Sequence, residues 1–269
     1  MTDAHLSPYS AATPPVSFAR RLMHHIFARD GRTVIVAMDA GIKRVAPGLE
    51  NVHKAVAQVV SGGTDAILAT YGMARAVADA LGGAGLIIAL DSEIPPAAYG
   101  VEQAVRFGAD ALELKVFPGN KEESKLGQLR ELAAEADRWG MPVMAEPIPV
   151  SFKDVAEHTL ENVANGARIS AEAGADFVKA QFVGSSEEYR TVIEGCFVPV
   201  LALGGPMKPT PFDALVMAEQ AIAAGARGVV FGRNVVEHPR PDRMVAALVA
   251  IVHGGASAEV ANKELTVPL

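Results

Sequence analysis

The sequence predicts a (β/α)8 barrel, because eight short apolar runs alternate with helical patterns along one chain. Each run is too short for a helix and is apolar at consecutive positions, as strands buried on both faces of a parallel sheet are. Helical periodicity fills the gaps, for example over residues 125–139 and 213–224. A doubly wound open sheet is the competing α/β architecture. The runs lie at residues 33–38, 66–68, 86–90, 111–116, 142–145, 177–182, 198–203 and 228–231.

A repeated pattern precedes four of these runs. In each case a helical segment ends in glycine, and the apolar run begins almost at once. Glycine suits the end of a helix because it adopts the left-handed conformation without steric cost. The repeat therefore marks junctions between a helix and the following strand. Its glycines are Gly62 and Gly63, Gly108, Gly174 and Gly225.

The composition indicates a single acidic, globular domain. Half of the 269 residues are hydrophobic and the formal net charge is −7, so a nucleic-acid binder, which needs a basic face, is disfavoured. Residues 1–16 lack the features of a signal peptide, and no apolar stretch approaches the ~20 residues of a membrane span. The single cysteine, Cys196, excludes an internal disulfide and favours a reducing compartment. We predict a cytoplasmic enzyme with an N-terminal arm and helix (1–30), a barrel domain (31–255) and a C-terminal tail (256–269).

The active site of such a barrel lies at the carboxyl ends of its strands, so polar residues there are the candidates. Asp39 ends the first run, although Asp is also a common turn residue. On the fourth strand, Glu113 and Lys115 are two apart and share a face, which points into the barrel if Leu112 and Leu114 face the helices. A structural ion pair is a plausible role for the deeper Glu113. For Lys115, nearer the mouth, we favour a functional role.

The fifth and sixth strands each carry a charged residue in an apolar run. Glu146 ends the fifth, and the proline after it favours an extended backbone; proton transfer is the favoured role, and neutralising a lysine the alternative. Lys179 lies inside the sixth strand, with Gln181 on the same face. Burying an ammonium group costs several kcal/mol. A lysine kept at such a position is typical of an amine that attacks a carbonyl and forms a Schiff base.

Glycines follow the seventh and eighth strands. Gly204 and Gly205 end the seventh, and Gly232 with Arg233 ends the eighth. Backbone N–H groups exposed at such positions bind phosphate in many barrels, and an arginine adds a bidentate contact. Tight turns without a ligand are the alternative. The sequence predicts a phosphate site here.

Metal and serine-nucleophile chemistry are disfavoured. The seven histidines do not cluster, no Cys/His ligand spacing occurs, and no G-x-S-x-G motif is present. We therefore predict no metal and no separate cofactor.

Three stretches of the chain resemble class I, Schiff-base aldolases of the archaeal-type fructose-bisphosphate aldolase family, which is related to tagatose-bisphosphate and deoxyribose-phosphate aldolases. They are Gly-Ala-Asp-Phe-Val-Lys at 174–179, Val-Pro-Val-Leu-Ala-Leu-Gly-Gly at 198–205 and Gly-Val-Val-Phe-Gly-Arg-Asn-Val at 228–235. The resemblance covers about residues 33–253. It implies an imine on Lys179, a proton-handling role for Asp39 and a ketose phosphate held at the glycines and Arg233.

The chain departs from the archaeal-type pattern in two places. Ala40 stands where that pattern has histidine, and the segment after Glu146 contains no tyrosine acid/base. Lys115 and Glu146 are more similar to the tagatose-bisphosphate branch, which has a lysine on the fourth strand and a glutamate acid/base on the fifth. These departures concern the identity of the sugar and not the imine chemistry.

The expected activity is cleavage or formation of a phosphorylated ketose, with dihydroxyacetone phosphate as the ketone product and a fructose-bisphosphate-like substrate. We expect burial and Lys115 to keep the Lys179 amine neutral, and Glu146 to move the proton of the C4 hydroxyl. Tagatose or sulfo-sugar phosphates and a transaldolase-like transfer are alternatives, since distal contacts come from loops such as 91–93 and 148–153. A flavin mononucleotide-dependent oxidoreductase and a non-catalytic phosphometabolite-binding protein are the alternatives of other classes. Homo-oligomers are usual for such barrels.

Overall fold

The computed structural model describes residues 23–42, 45–90, 100–122 and 124–266, and within them the chain forms a closed parallel barrel. Each strand pairs in parallel with the next, and β8 pairs with β1. The predicted (β/α)8 barrel is thus confirmed, and the open sheet is excluded. The strands are β1 Thr33–Ala37, β2 Ala66–Thr70, β3 Gly85–Leu90, β4 Ala111–Val116, β5 Val143–Pro147, β6 Phe177–Gln181, β7 Val200–Leu203 and β8 Gly228–Phe231.

Helices surround the barrel and bury one face each against it. Predicted helices at 125–139 and 213–224 are confirmed within about two residues, the usual uncertainty at helix ends. The helices are α1 Met23–Ile26, α2 Val52–Ser61, α3 Tyr71–Val77, α4 Val101–Phe107, α5 Leu126–Trp139, α6 Leu160–Glu172, α7 Ser186–Glu194, α8 Pro211–Ala223, α9 Arg233–Val236, α10 Pro241–Val252 and α11 Ala258–Ala261. Short 3₁₀ turns follow β1 (Asp39–Ile42), α3 (Ala78–Ala80) and α11 (Asn262–Thr266) and precede α6 (Val155–Glu157).

The barrel interior is apolar at its amino-terminal end. Inward side chains of the strands form one buried cluster, which includes Ile35, Met144 and Phe177. The start of the described chain closes this end, because Ile26 and Phe27 join the cluster and the Phe27 ring meets Phe177 edge-on, with centroids 5.5 Å apart. Charged inward residues lie toward the carboxyl ends of the strands, whereas the buried Thr33, on the same face of β1 as Ile35, carries only a hydroxyl group into the amino-terminal end.

The sequence repeat has a structural cause that sequence analysis did not identify. In three of its four copies an aspartate stands just before an even-numbered strand. Its carboxylate accepts a hydrogen bond from a backbone N–H near the start of the preceding odd-numbered strand. We call these three contacts the aspartate clasps. They join Asp65 to Val34 at 2.6 Å, Asp110 to Leu86 at 2.8 Å and Asp176 to Val143 at 2.8 Å.

The chain after α10 packs on the barrel. Ala258 and Ala261 of α11 are buried, and the Ala258 N–H donates to Glu219 of α8 at 2.9 Å. Among the described residues no helix is both long enough and apolar enough to cross a membrane.

Candidate active site

The Lys115 ammonium lies within ion-pair distance of three carboxyl groups at the carboxyl end of the barrel. Its Nζ is 2.8 Å from Asp39 Oδ2, 3.2 Å from Glu113 Oε1 and 3.8 Å from Glu146 Oε2. The two β4 residues point inward as predicted, because Leu112, Leu114 and Val116 pack in the outer core under the helices.

The second lysine forms a closer pair. Lys179 Nζ donates a hydrogen bond of 2.8 Å to Glu146 Oε2, and only 3% and 4% of these two side chains are exposed. Strand register produces this proximity, since Lys115 on β4 pairs with Glu146 on β5, and β6 lies next to β5. The barrel thus brings together all four predicted catalytic residues: Lys179, Glu146, Asp39 and Lys115.

These charged side chains lie at different depths. Glu113 is completely buried, whereas 14% of Asp39 and 18% of Lys115 are exposed. Asp39 and Lys115 are therefore the members of the cluster closest to solvent. Glu113 lies at the deepest point of the charged cluster.

The charge on Lys179 corrects one expectation from the sequence. Burial lowers its pKa, and so does the Lys115 charge, as predicted. However, the carboxylates of Glu146, Asp39 and Glu113 together outweigh both effects, so the pKa of Lys179 lies above its ordinary value. Lys179 is therefore an ammonium ion in the resting site and not the neutral amine that we expected.

The partners of the lysines are ionised for the complementary reason. Burial opposes ionisation of Glu146, but the charges of Lys179 and Lys115 hold its pKa below the usual range. The same two lysines overcome burial at Asp39 and lower its pKa. Burial also acts against the Lys115 charge, yet Glu113, Glu146 and Asp39 raise its pKa well above the ordinary value.

Glu113 differs from Asp39 and Glu146 in the direction of its pKa shift. Burial, which is complete at this position, raises the pKa of Glu113 to about 8, although Lys115 and Lys179 act in the opposite direction. Lys115 Nζ donates to Glu113 Oε2 at 3.3 Å, while Oε1 has no hydrogen-bond partner within the described structure. Sequence analysis considered Glu113 only as half of a structural ion pair.

The predicted phosphate site lies at the same end of the barrel. Leu203, which precedes Gly204, pairs with Gln181 of β6, so the turn after β7 lies beside the strand that carries Lys179. A Cβ atom on Gly204 would approach the Phe231 ring to 2.9 Å. Gly205 has φ of 68°, a left-handed conformation that favours glycine. A larger residue is therefore disfavoured at Gly204 by contact with Phe231 and at Gly205 by the backbone conformation.

One detail of the phosphate prediction requires correction. The N–H of Gly204 donates to the Val230 carbonyl at 2.9 Å, so it extends the β7–β8 ladder and does not face an incoming anion. Gly204 allows the strand to turn beside Phe231, and this leaves Gly205 and Gly232 as the candidate backbone donors. Arg233 is exposed at the mouth, where its guanidinium donates to the Gly205 carbonyl at 3.2 Å.

Asn234 is a site residue that sequence analysis missed. Its side-chain amide donates to the carbonyls of Gly204 and Pro206, at 3.3 and 3.1 Å, and its oxygen accepts from the Lys208 N–H at 2.8 Å. These bonds fix the turn after β7 to α9. The available signal in the sequence was an asparagine directly after Gly232-Arg233, at the end of an apolar run. The structure buries this side chain, and a buried amide needs hydrogen-bond partners.

Two loops were expected to supply distal contacts. Residues 91–93 lie outside the described residues. The loop after β5 is held to the loop after β4, because Val150 N–H donates to the Pro118 carbonyl at 2.9 Å and Asn120 donates to the Val150 carbonyl at 3.1 Å. Val150 has φ of 58°, which is costly for a β-branched residue. The β5 loop is thus fixed close to the mouth.

The geometry provides a buried lysine, a carboxylate in contact with it and, on the neighbouring turns, the glycines that the sequence predicts to bind phosphate. Among the residues that the structure describes, no group of three or more His, Cys, Asp or Glu side chains could hold a metal ion. The family model described as DeoC/LacD family aldolase matches residues 27–238. The chain belongs to the DeoC/LacD family of aldolases.

Relatives and solved structures agree with this assignment. The chain is 38% identical over 255 residues to 2-amino-3,7-dideoxy-D-threo-hept-6-ulosonate synthase 1 of Archaeoglobus fulgidus, covering 89% of the chain and 93% of the relative. It is 34% identical over 242 residues to the synthase of the same name from Halobacterium salinarum, covering 86% and 91%. An archaeal fructose-1,6-bisphosphate aldolase with its catalytic Lys covalently bound to the carbinolamine intermediate superposes with a TM-score of 0.77, at 28% identity, covering 88% of the chain and 100% of that structure.

Membership of the DeoC/LacD family makes the protein an aldolase, as the sequence resemblance predicted. This assignment places the chain apart from flavin-dependent oxidoreductases and from non-catalytic binding proteins. The relatives named as heptulosonate synthases leave the choice of substrate within the family open.

Proposed function

We propose that this aldolase cleaves or forms a phosphorylated ketose through an imine on Lys179, without a metal, and that dihydroxyacetone phosphate is the ketone product. The observation that carries the proposal is the 2.8 Å contact between the buried Lys179 ammonium and the Glu146 carboxylate. It supplies a nucleophile and its proton acceptor in direct contact, as covalent catalysis by lysine requires. A fructose-bisphosphate-like sugar is the favoured substrate.

The first steps activate the amine. When the substrate ketone enters, the Lys179 ammonium gives its proton to Glu146, and the neutral amine attacks the ketone carbon, C2. The protonated Glu146 then donates to the hydroxyl of the carbinolamine, which leaves as water. The iminium that remains carries the positive charge that the ammonium carried before, so the site gains no net charge.

The next steps break the carbon–carbon bond. Glu146, again a carboxylate, takes the proton of the C4 hydroxyl; the C3–C4 electrons move to the iminium nitrogen and the aldehyde leaves. The resulting enamine takes a proton on C3 from Glu146, and water releases the ketone. Asp39 orients substrate hydroxyls, and Gly205, Gly232 and Arg233 hold the phosphate, so that C2 lies beside the amine.

Borohydride trapping tests the imine. Incubation with dihydroxyacetone phosphate and borohydride should give a stable adduct, located at Lys179 by peptide mass spectrometry. Lys179→Met should abolish the adduct, whereas Lys115→Met, which removes the other lysine of the site, should leave it at Lys179. An adduct on Lys115, or none in the folded protein, contradicts the proposal.

A second candidate is an aldol transfer in which the enamine adds to an acceptor aldehyde that bears an amino and a carboxylate group. The observation that favours it is the name of the two relatives, which describes an amino-bearing keto acid made by synthesis. A panel of ketose phosphates, each assayed with and without such an acceptor, separates the two. Cleavage that is fast without acceptor supports the first candidate, and turnover only with acceptor supports the second.

A further inference from the structure

We propose that Glu113 is a positioning residue that holds a proton and, as a neutral carboxyl, donates a hydrogen bond to Glu146, so that loss of this proton inhibits the aldolase. The inference rests on the proposed role of Lys179 and Glu146. It assigns a task to a buried group that the catalytic steps above do not use.

The first argument is a charge count. Three carboxyl groups, those of Asp39, Glu113 and Glu146, face the two ammonium groups of Lys115 and Lys179. The other four groups of this cluster act on the Glu113 charge, and they lie on β4, β5, β6 and the turn after β1. If all were ionised, the cluster would carry an unbalanced negative charge away from water. One proton on a carboxyl group removes that imbalance.

The second argument identifies which carboxyl group holds the proton. Asp39 and Glu146 each accept a 2.8 Å hydrogen bond from a lysine. Glu113 has the weaker contact, 3.3 Å to Lys115, and is the only one of the three with no exposed surface. Its Oε1 has no hydrogen-bond partner among the described residues, although Lys115 Nζ lies 3.2 Å away. A proton on this oxygen converts an unsatisfied acceptor into a donor.

The third argument concerns the recipient of that hydrogen bond. Glu113 Oε1 and Glu146 Oε2 lie 3.2 and 3.8 Å from the same Lys115 Nζ, so the two carboxyl groups face one ammonium group. Donation from Glu113 acts to lower the pKa of Glu146, as donation to a carboxylate does. Neutral Glu113 therefore keeps Glu146 ionised and oriented toward Lys179. The charge of an ionised Glu113 is one of the causes that raise the pKa of Lys179, so a proton on Glu113 removes this contribution and makes the amine easier to release.

The test compares pH profiles of kcat and kcat/KM for the wild type, Glu113→Gln and Glu113→Leu. Glutamine retains an N–H donor but cannot ionise. We expect the wild type to lose activity as pH rises through about 8, and E113Q to lack this decline while keeping kcat within roughly tenfold at neutral pH, less than the loss of an acid/base residue. E113L, without a donor, should be slower than E113Q. Thr33→Val, at another fully buried polar position, is the matched control and should keep the decline.

An alkaline decline in E113Q equal to that of the wild type overturns the proposal. A second measurement covers the case in which E113Q does not fold or no substrate turns over. Isotope-edited infrared spectroscopy of the wild type should show a protonated glutamate at neutral pH that disappears as pH rises. Absence of this band overturns the proposal for Glu113 independently of the borohydride test, which examines Lys179.

Discussion

Glu146 Oε2 accepts a hydrogen bond from Lys179 Nζ at 2.8 Å and also lies 3.8 Å from Lys115 Nζ, so one carboxylate forms ion pairs with two lysines. Its lowered pKa and the raised pKa of Lys179 describe a resting ion pair. In the proposed mechanism a proton therefore passes from Lys179 to Glu146 before the amine reacts. Substrate binding has to make this transfer favourable, for example by excluding water from the pair, which favours the neutral forms of both groups.

Glu146→Gln should slow turnover by about 10²- to 10⁴-fold, the usual contribution of an acid/base residue. Glutamine cannot take the Lys179 proton or that of the C4 hydroxyl, so both imine formation and bond cleavage should slow. Single-turnover kinetics with borohydride quenching measures the two steps separately. Glu131→Gln, an exposed change on α5, is the control. Turnover of E146Q within about twofold of the wild type excludes Glu146 as the proton acceptor.

Lys115→Met should move the acid limb of the kcat/KM profile to higher pH. Lys115 lowers the pKa of Glu146 and also that of Lys179, so removing its charge raises the proton affinity of both. For a charge at this distance the shift should be about one to three pH units. Lys115→Arg keeps the positive charge and should leave the limb closer to that of the wild type. An unshifted limb in K115M shows that Lys115 does not control Glu146.

Arg233→Ala should raise KM for a phosphorylated ketose by about ten- to a hundredfold, because a hydrogen bond to a charged group contributes about 1.5–3 kcal/mol. The kcat should change less, since Arg233 lies at the mouth and away from Lys179. The measurement is KM for the sugar phosphate, compared with Arg190→Ala on the exposed face of α7. Equal KM values in R233A and the wild type place the phosphate elsewhere.

His253→Gln should reduce stability most in mildly acidic solution. His253 lies between Asp65 and Asp30, at 2.9 and 2.7 Å, and these hydrogen bonds raise its pKa. The stabilisation that His253 contributes to the folded protein is complete below its pKa in the unfolded chain, about 6.5. It is lost as pH rises through the higher pKa of His253 in the folded protein. His253 also lowers the pKa of Asp30, against the effect of burial. The stabilisation from the Asp30 carboxylate is therefore lost as pH falls through the pKa of Asp30 in the folded protein.

Urea unfolding over a pH series measures this effect. The difference between the wild type and H253Q should reach up to about 1 kcal/mol, as for partly exposed ion pairs. The exposed His53→Gln on α2 is the control. A difference that grows above neutral pH contradicts the assignment of charge to His253.

The barrel and the positions of the charged residues inside it were predictable because local pattern determines both. Eight apolar runs located the strands, and a charged residue inside such a run located Lys179, Glu146 and Lys115. The charge state of Lys179 was not predictable, since it depends on distances to carboxylates on β4, on β5 and in the turn after β1. The engagement of the Gly204 N–H and the hydrogen bonds of Asn234 depend on the β7–β8 register in the same way.

The aspartate clasps have a consequence for how this protein can change. They join strands two by two, β1 with β2, β3 with β4 and β5 with β6, at the end of the barrel opposite to Lys179. Loops at the catalytic end can therefore be exchanged or lengthened while each pair of strands stays fastened at its other end. We therefore expect substitutions that change substrate preference and substitutions that stabilise the barrel to fall at opposite ends of it, and exchange of a loop at the Lys179 end to be well tolerated.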